Sequence, residues 1–300
     1  MAGWVWITIG AALAQTLRFM LQKTLASGAL SASGATYARF VFSAPLVALG
    51  LWAYASFSQQ SVPRPDGGFW VYALAGGLSQ IVATIAVVYL FSQRNFAVGI
   101  TLKKTETLQT ALIGFVLLGE MVSFGGLVAI GLGFLGVLFL SDTGAQGLRA
   151  LRKGPDRTAW IGLASGAAFG ISGVCYRGAS LSLDHGDVAI RAAMTLACVT
   201  AAQTVAMTLW FALRDPSQIG RVIRSWRISG LVGLTSMVGS FLWFSAFTLQ
   251  QAAYVNAVGQ IELVFSILAS TVFFGETIKR QEWVGMSFLG LSIFLIVGGI

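Results

Sequence analysis

Thr101-Leu-Lys-Lys-Thr-Glu106 runs into Leu117-Leu-Gly-Glu120, and Gly259-Gln-Ile-Glu262 runs into Phe273-Phe-Gly-Glu276. The two stretches lie 156 residues apart and share their internal spacing. Glu106 pairs with Glu262, Gly119 with Gly275, and Glu120 with Glu276. In both, a polar cluster opens an apolar segment and Gly-Glu closes it. A pattern repeated at one offset reads as two copies of one unit that meet around a site.

Composition says which solvent the unit is built for. Charged residues make up 10% of the chain and hydrophobic residues 56%; mean hydropathy is +0.79. A soluble domain carries about 25% charged residues. So few charges cannot cover so much apolar surface, so the bilayer must solvate most of the chain. A spanning helix takes about 20 apolar residues. The net charge of +8 comes from short loops between apolar runs, not from a basic helix face. It is a topology signal rather than a nucleic-acid one. The two cysteines, Cys175 and Cys198, sit in apolar segments and give neither a disulfide framework nor metal-ligand spacing. Met1-Ala-Gly-Trp4 lacks the basic start of a removable leader, so the first apolar run is expected to be a helix that stays.

Ten spans are expected. The first five are about Gly3 to Leu25, Ala35 to Phe57, Phe69 to Ser92, Val98 to Leu118 and Phe124 to Leu140. The second five are about Thr158 to Leu181, Val188 to Leu213, Arg227 to Leu249, Ala252 to Phe274 and Trp283 to Gly299. Residues 1–142 and 158–300 form the two copies, with 143–157 as the polar link. The segment Arg214 to Arg224 reads as a basic loop. In the first span Gln15, Arg18 and Gln22 share one face, which is expected to look inward because polar groups are costly in hydrocarbon; for Arg18, snorkelling to the interface is an equal alternative. Snorkelling is the simple reading of Arg39. Gly131-Leu-Gly-Phe-Leu-Gly136 matches a dinucleotide-binding pattern, but it lies inside a span without the required strand. Close helix packing by small residues is the better account. His185, the single histidine, sits between Asp184 and Asp187 in what reads as a solvated turn.

The 156-residue register aligns more than the glutamates. Trp4 meets Trp160, Trp70 meets Trp226, and Gly77-Leu78 meets Gly233-Leu234. Five spans per copy force the second to enter the membrane inverted, the design in which secondary transporters place a site near the midplane. The face Gln80, Thr84, Val87, Phe91 maps onto Ser236, Ser240, Trp243, Phe247; Ile100, Lys104, Glu106 map onto Asn256, Gln260, Glu262. Ordinary interhelical hydrogen bonding suffices for Thr84 or Ser240 alone. Glu106 and Glu262 are about 14 residues, or roughly 21 Å of helix, from the Gly-Glu ends. An ionisable group that deep in a membrane is a functional candidate by default. Glu120 and Glu276 are expected to be architectural, beside a glycine helix stop and at the start of the next helix. Lys103 and Lys104 have no counterparts in the second copy, and snorkelling is one reading of them.

The paired Gly-Glu ends, the Arg39-Phe40 pair opening the second span and the five-plus-five repeat resemble the drug/metabolite transporter superfamily, in particular its ten-helix EamA group. The size and plain loops are similar to YddG-type amino-acid exporters. Two features depart from the group: the fourth and ninth spans lack proline, and the first offers Gln15 and Arg18 where smaller relatives use a glutamate for proton coupling. The resemblance implies an all-α membrane protein of ten helices in two inverted repeats. It also implies export of amino acids, aromatic or other neutral ones, and related metabolites across a bacterial inner membrane by alternating access.

The expected substrate-binding set is Gln15, Gln80, Thr84, Glu106, Ser240, Trp243, Asn256, Gln260 and Glu262. Glu106, Glu262, Gln260 and Asn256 would take the ends of a zwitterion, and Trp243, Phe91 and Phe247 its side chain. Lys103 and Lys104 are similar to lysines that bind anions in sugar-phosphate and nucleotide-sugar relatives, so exchange of phosphorylated metabolites is the alternative. A membrane enzyme or an assembly subunit are the remaining classes. No cofactor or metal is expected, no nucleic acid, and a monomer in the lipid bilayer suffices. The positive-inside rule puts both termini outside, whereas many EamA relatives point the other way.

Overall fold

The computed structural model describes residues 3–28, 30–90, 103–140, 157–265, 267–268 and 280–298, and among them all regular structure is helical. The helices are α1 (Gly3–Ala26), α2 (Ala32–Ser58), α3 (Gly67–Leu90), α4 (Glu106–Leu118), α5 (Phe124–Leu140), α6 (Arg157–Leu181), α7 (Val188–Arg214), α8 (Pro216–Arg224), α9 (Trp226–Leu249), α10 (Ala252–Gly259) and α11 (Arg280–Gly298). Seven are long and apolar enough to cross a membrane: α1, α2, α3, α6, α7, α9 and α11. Three shorter apolar helices accompany them: α4, α5, and α10 with its continuation to Phe265. The chain is a multi-pass membrane protein. Phe91, the Arg94-Asn95 turn, Ile100, the Gly275-Glu276 stop and the link up to residue 156 lie outside the described residues.

Local chemistry sets the helix ends. Ser31 accepts from the Gly34 amide at 3.0 Å and opens α2. Asp187 does the same for α7 through the Ile190 amide at 2.8 Å. Gly119 closes α4 at φ 67°, a left-handed conformation cheap only for glycine. The expected loop at Arg214 to Arg224 is instead the helix α8. Pro216 starts it, its fixed φ and missing N–H costing nothing in the first turn. Gln218 and Val222 are buried on one side; Ile223 and Arg224 are exposed on the other. Two arginines and three apolar residues beside Pro216 and Gly220 read as a loop by composition; their helical spacing makes an amphipathic helix.

The packing pairs helices from the two halves of the chain. Helix α1 runs along α9, α3 along α6, α5 along α11, α2 against α7 and α9, and α4 against α6 and α10. Glycines allow the close approaches. A side chain at Gly136 would meet the Gly285 carbonyl at 2.8 Å, and one at Gly285 would meet the Gly136 carbonyl at 2.8 Å. Gly133 similarly abuts Ser292 of α11, whose hydroxyl donates to the Ala129 carbonyl. The GxGxxG pattern of α5 is thus a helix-packing stripe. Lipid-facing positions such as Trp52, Leu112, Val116, Leu213 and Phe294 are exposed, as expected where the tails replace water as solvent.

The contacts also sort the two ends of the bundle. One end gathers Glu120, Arg177, Asp184 and Asp187, joined by hydrogen bonds to Tyr54, Gln60 and the C-terminus of α9. The opposite end, where Tyr37 meets Thr208 and Gly34 meets Gln218, carries Lys23, Arg214, Arg221, Arg224 and Arg227.

Candidate functional site

A turn stands at the same place in both stretches, and in the second it interrupts a helix described on both sides. Lys103 is helical, Lys104 and Thr105 form a turn, and α4 starts at Glu106. In the second half α10 ends at Gly259, Gln260 and Ile261 form a turn, and helix resumes at Glu262. The turns fall 156 residues apart. At the second, the amides of Gln260 and Ile261 bond back three residues, to Ala257 and Val258, at 3.3 and 3.1 Å. Such tightening inside a helix commonly marks a functional hinge. No proline is needed to make it, which accounts for the missing prolines in these segments.

The breaks face each other and are tied by charge. Lys103 pairs with Glu106 at 2.6 Å. Lys104 pairs with Glu262 across the two halves. Gln15 of α1 donates to the other Glu262 oxygen at 2.7 Å, and its own amide oxygen accepts from Arg18 at 3.3 Å. Deeper, Gln260 donates to Thr107 at 2.6 Å and Asn256 to Thr110 at 3.0 Å. Gly166 of α6 lets the first break pack against it, because a side chain there would meet the Lys103 carbonyl at 2.7 Å. Both lysines and Glu106 are buried. The snorkelling reading of Lys103 and Lys104 is therefore replaced: each has a carboxylate within reach inside the bundle, so neither needs the interface.

These groups line one cavity of about 680 Å³ of empty space, including its opening to solvent. Gln15, Gln80, Glu106, Ser240, Trp243, Asn256, Gln260 and Glu262 all line it. Thr84 does not; it stands behind Arg39 and accepts from its guanidinium at 3.1 Å. Phe247 also lines the cavity, its ring centroid 5.6 Å from that of Trp243.

Two arginines sit deeper than their sequence context suggests. Arg39 does not snorkel. It is 4% exposed and also donates to Ser240 at 3.1 Å. Arg18 takes the inward alternative, 3% exposed and lining the same cavity. The missed signal was the register itself: Thr84 and Ser240 are equivalent positions, and two hydroxyls converging from both halves ask for one shared donor. Phe169 and Tyr176 of α6 also line the cavity; nothing polar or periodic in their surroundings singled them out. Glu120 is not a helix-start glutamate. It pairs with Arg177 at 2.5 Å, and Arg177 also donates to the Phe247 carbonyl at 2.8 Å. His185 stays at an exposed turn, 2.6 Å from Asp184.

A helical membrane bundle with a charged cavity between its halves can be set beside known proteins. Residues 157–298 match the EamA-like transporter family. The EamA-like domain thus covers α6 to α11 and supplies Trp243, Asn256, Gln260 and Glu262 to the cavity. No curated protein matches the chain. A solved crystal structure of another protein is similar in fold, with a TM-score of 0.68 at 17% identity over 100% of this chain and 95% of that one. The family match spans the second half of the chain, and the likeness to the solved structure extends over the whole helical fold.

Proposed function

We propose that the chain is a secondary transporter that carries a small anionic-group metabolite, an amino acid or a phosphorylated compound, by alternating access between two inverted five-helix repeats. The observation that carries this reading is the Lys104–Glu262 pair. It joins the two helix breaks, one from each half, in a buried cavity that Gln15 completes. A structural tie between helices has no need of four charges there. A cavity that must exchange these contacts with a cargo does, because the cargo then competes directly with the contacts holding the halves together. The swapped pairing of α1 with α9 and α3 with α6 supports the repeat, as do the two breaks in register.

The polar atoms left over suit a cargo. Among the described residues, Trp243 Nε1, Ser236 Oγ and Gln260 Oε1 are buried without a hydrogen-bond partner. Buried polar groups are rarely left so. The Trp243–Phe247 stack offers an apolar wall. Glu106 and Glu262 already hold lysines, so the ammonium end of an amino acid has Gln260 Oε1 as its acceptor instead. The positive-inside rule places the basic end in the cytoplasm, and we take export across a bacterial inner membrane as the direction and location of this transport.

Reconstituted liposomes test the reading. Glu262→Gln is expected to abolish flux. Removing one member of a buried pair costs about 3–5 kcal/mol, so lost flux alone would be ambiguous. The double variant Lys104→Met, Glu262→Met removes both charges and is expected to keep wild-type thermal stability while still losing flux. Full flux in that double variant would sink the proposal.

A further inference from the structure

We propose that the cargo is a small organic dianion, bound between the Arg18 and Arg39 guanidiniums. This rests on the transporter reading and names the charge of what is carried. Among the described residues, four cationic side chains line the cavity, Arg18, Arg39, Lys103 and Lys104, against two carboxylates, Glu106 and Glu262. The lysines take both carboxylates. Each Lys–Glu pair is neutral overall wherever its proton sits. Guanidiniums keep their charge inside proteins.

Two positive charges therefore remain. Arg18 meets the Gln15 amide oxygen and the Phe19 ring; Arg39 meets the Thr84 and Ser240 hydroxyls and the Phe40 ring. Among the described residues neither pairs with a carboxylate. Amide and hydroxyl oxygens accept their hydrogen bonds but cancel no charge. A buried charge without a counter-ion is among the costliest arrangements in a protein, and here there are two in one cavity. The Trp243 indole N–H, a donor only, is buried there without an acceptor among the described residues. The wall is thus short of negative charge and rich in donors. A neutral zwitterion brings no net charge and leaves the surplus. A monoanion leaves half of it. A dianion cancels it, and the planar guanidinium fork fits carboxylate and phosphate alike.

Purified full-length chain in detergent, followed by thermal unfolding, reads binding directly. The probes are succinate, glycerol phosphate, leucine and phenylalanine. Stabilisation by succinate supports a dicarboxylate and stabilisation by glycerol phosphate a phosphomonoester; either supports the proposal. Arg39→Gln is expected to weaken the dianion at least tenfold. Arg39→Lys, which keeps the charge and loses the fork, should fall between Arg39→Gln and wild type and serves if Arg39→Gln fails to fold. Stabilisation by leucine or phenylalanine but by neither dianion overturns the proposal, as does an Arg39→Lys variant that binds the dianions as wild type does. Liposome flux separates the two readings. Leucine flux without dianion binding removes the dianion and leaves transport standing. Dianion binding without flux of any probe keeps the site and removes transport.

Discussion

Gly259 shows how tightly single residues are fitted around the cavity. It is the last residue of α10 before the break, and a side chain there would run into the six-membered ring of Trp243. Gly259→Ala should therefore displace the indole that walls the cavity, at a cost of about 1–3 kcal/mol for overpacking. Trp243→Phe trims the ring and should restore stability in the double variant. A double-mutant cycle on thermal unfolding checks this; additive losses would show that the two residues do not compete for space. Arg39 makes the converse point. In sequence it is one arginine near a helix start, where snorkelling is the ordinary outcome. Only its burial and two hydroxyl partners make it a cavity residue.

At the level of elements, Asp187 joins three of them. Its carboxylate caps α7, and it accepts from Tyr54 of α2 and from Gln60 just beyond that helix, both at 2.8 Å. Burial pushes this carboxyl up, but the Ile190 amide, Gln60, Tyr54 and the Ala189 amide together hold it below the ordinary 3.8. A depressed carboxylate stabilises the fold above its ordinary value, and the contribution fades as pH falls through the folded value. Asp187→Ala should cost about 1 kcal/mol from the lost cap. The difference between variant and wild type should shrink as the pH drops below 3.8; a difference that stays constant down to pH 2 would refute the charge argument. The helix breaks at 104–105 and 260–261 belong to this scale too. Their polar residues were legible in the sequence, but the breaks were not, since Lys, Thr, Gln and Ile are all compatible with an unbroken helix.

Across the whole molecule, the two ends differ in charge. At the acidic end Glu120 pairs with Arg177, Arg177 donates to the Phe247 carbonyl of α9, and Ser180 meets Thr248 at 2.6 Å, a set of contacts able to latch that end. A charge-assisted hydrogen bond is worth about 1.5–3 kcal/mol. Arg177→Gln should loosen that end. A cysteine at Phe247, with Cys175 and Cys198 replaced by alanine, should then react about tenfold faster with a membrane-impermeant maleimide, the change expected from about 1.4 kcal/mol. An unchanged rate would exclude the latch. Orientation has its own check. Ser217→Cys on α8 should be labelled only from the cytoplasm and Ser61→Cys only from outside; the reverse pattern would show that the charge bias misleads here.

The sequence by itself determined the membrane class and the place of the long apolar helices, because apolar length is a local quantity; it did not show the helix Pro216–Arg224 or the turn at Gln260 and Ile261. It also gave Glu106 and Glu262 the same place in a 156-residue register, which is read without coordinates. It took the tertiary structure to decide which charges pair. Lys104 lies 158 positions from Glu262, and Arg39 lies 201 from Ser240. Whether a buried cation ends in an ion pair, on two hydroxyls or at the interface depends on which helices the fold brings together. That is why Thr101 to Glu106 looked like a charged interruption and became one side of a cavity: its lysines are neutralised across and within the halves, and its surplus charge is carried by two arginines from other helices.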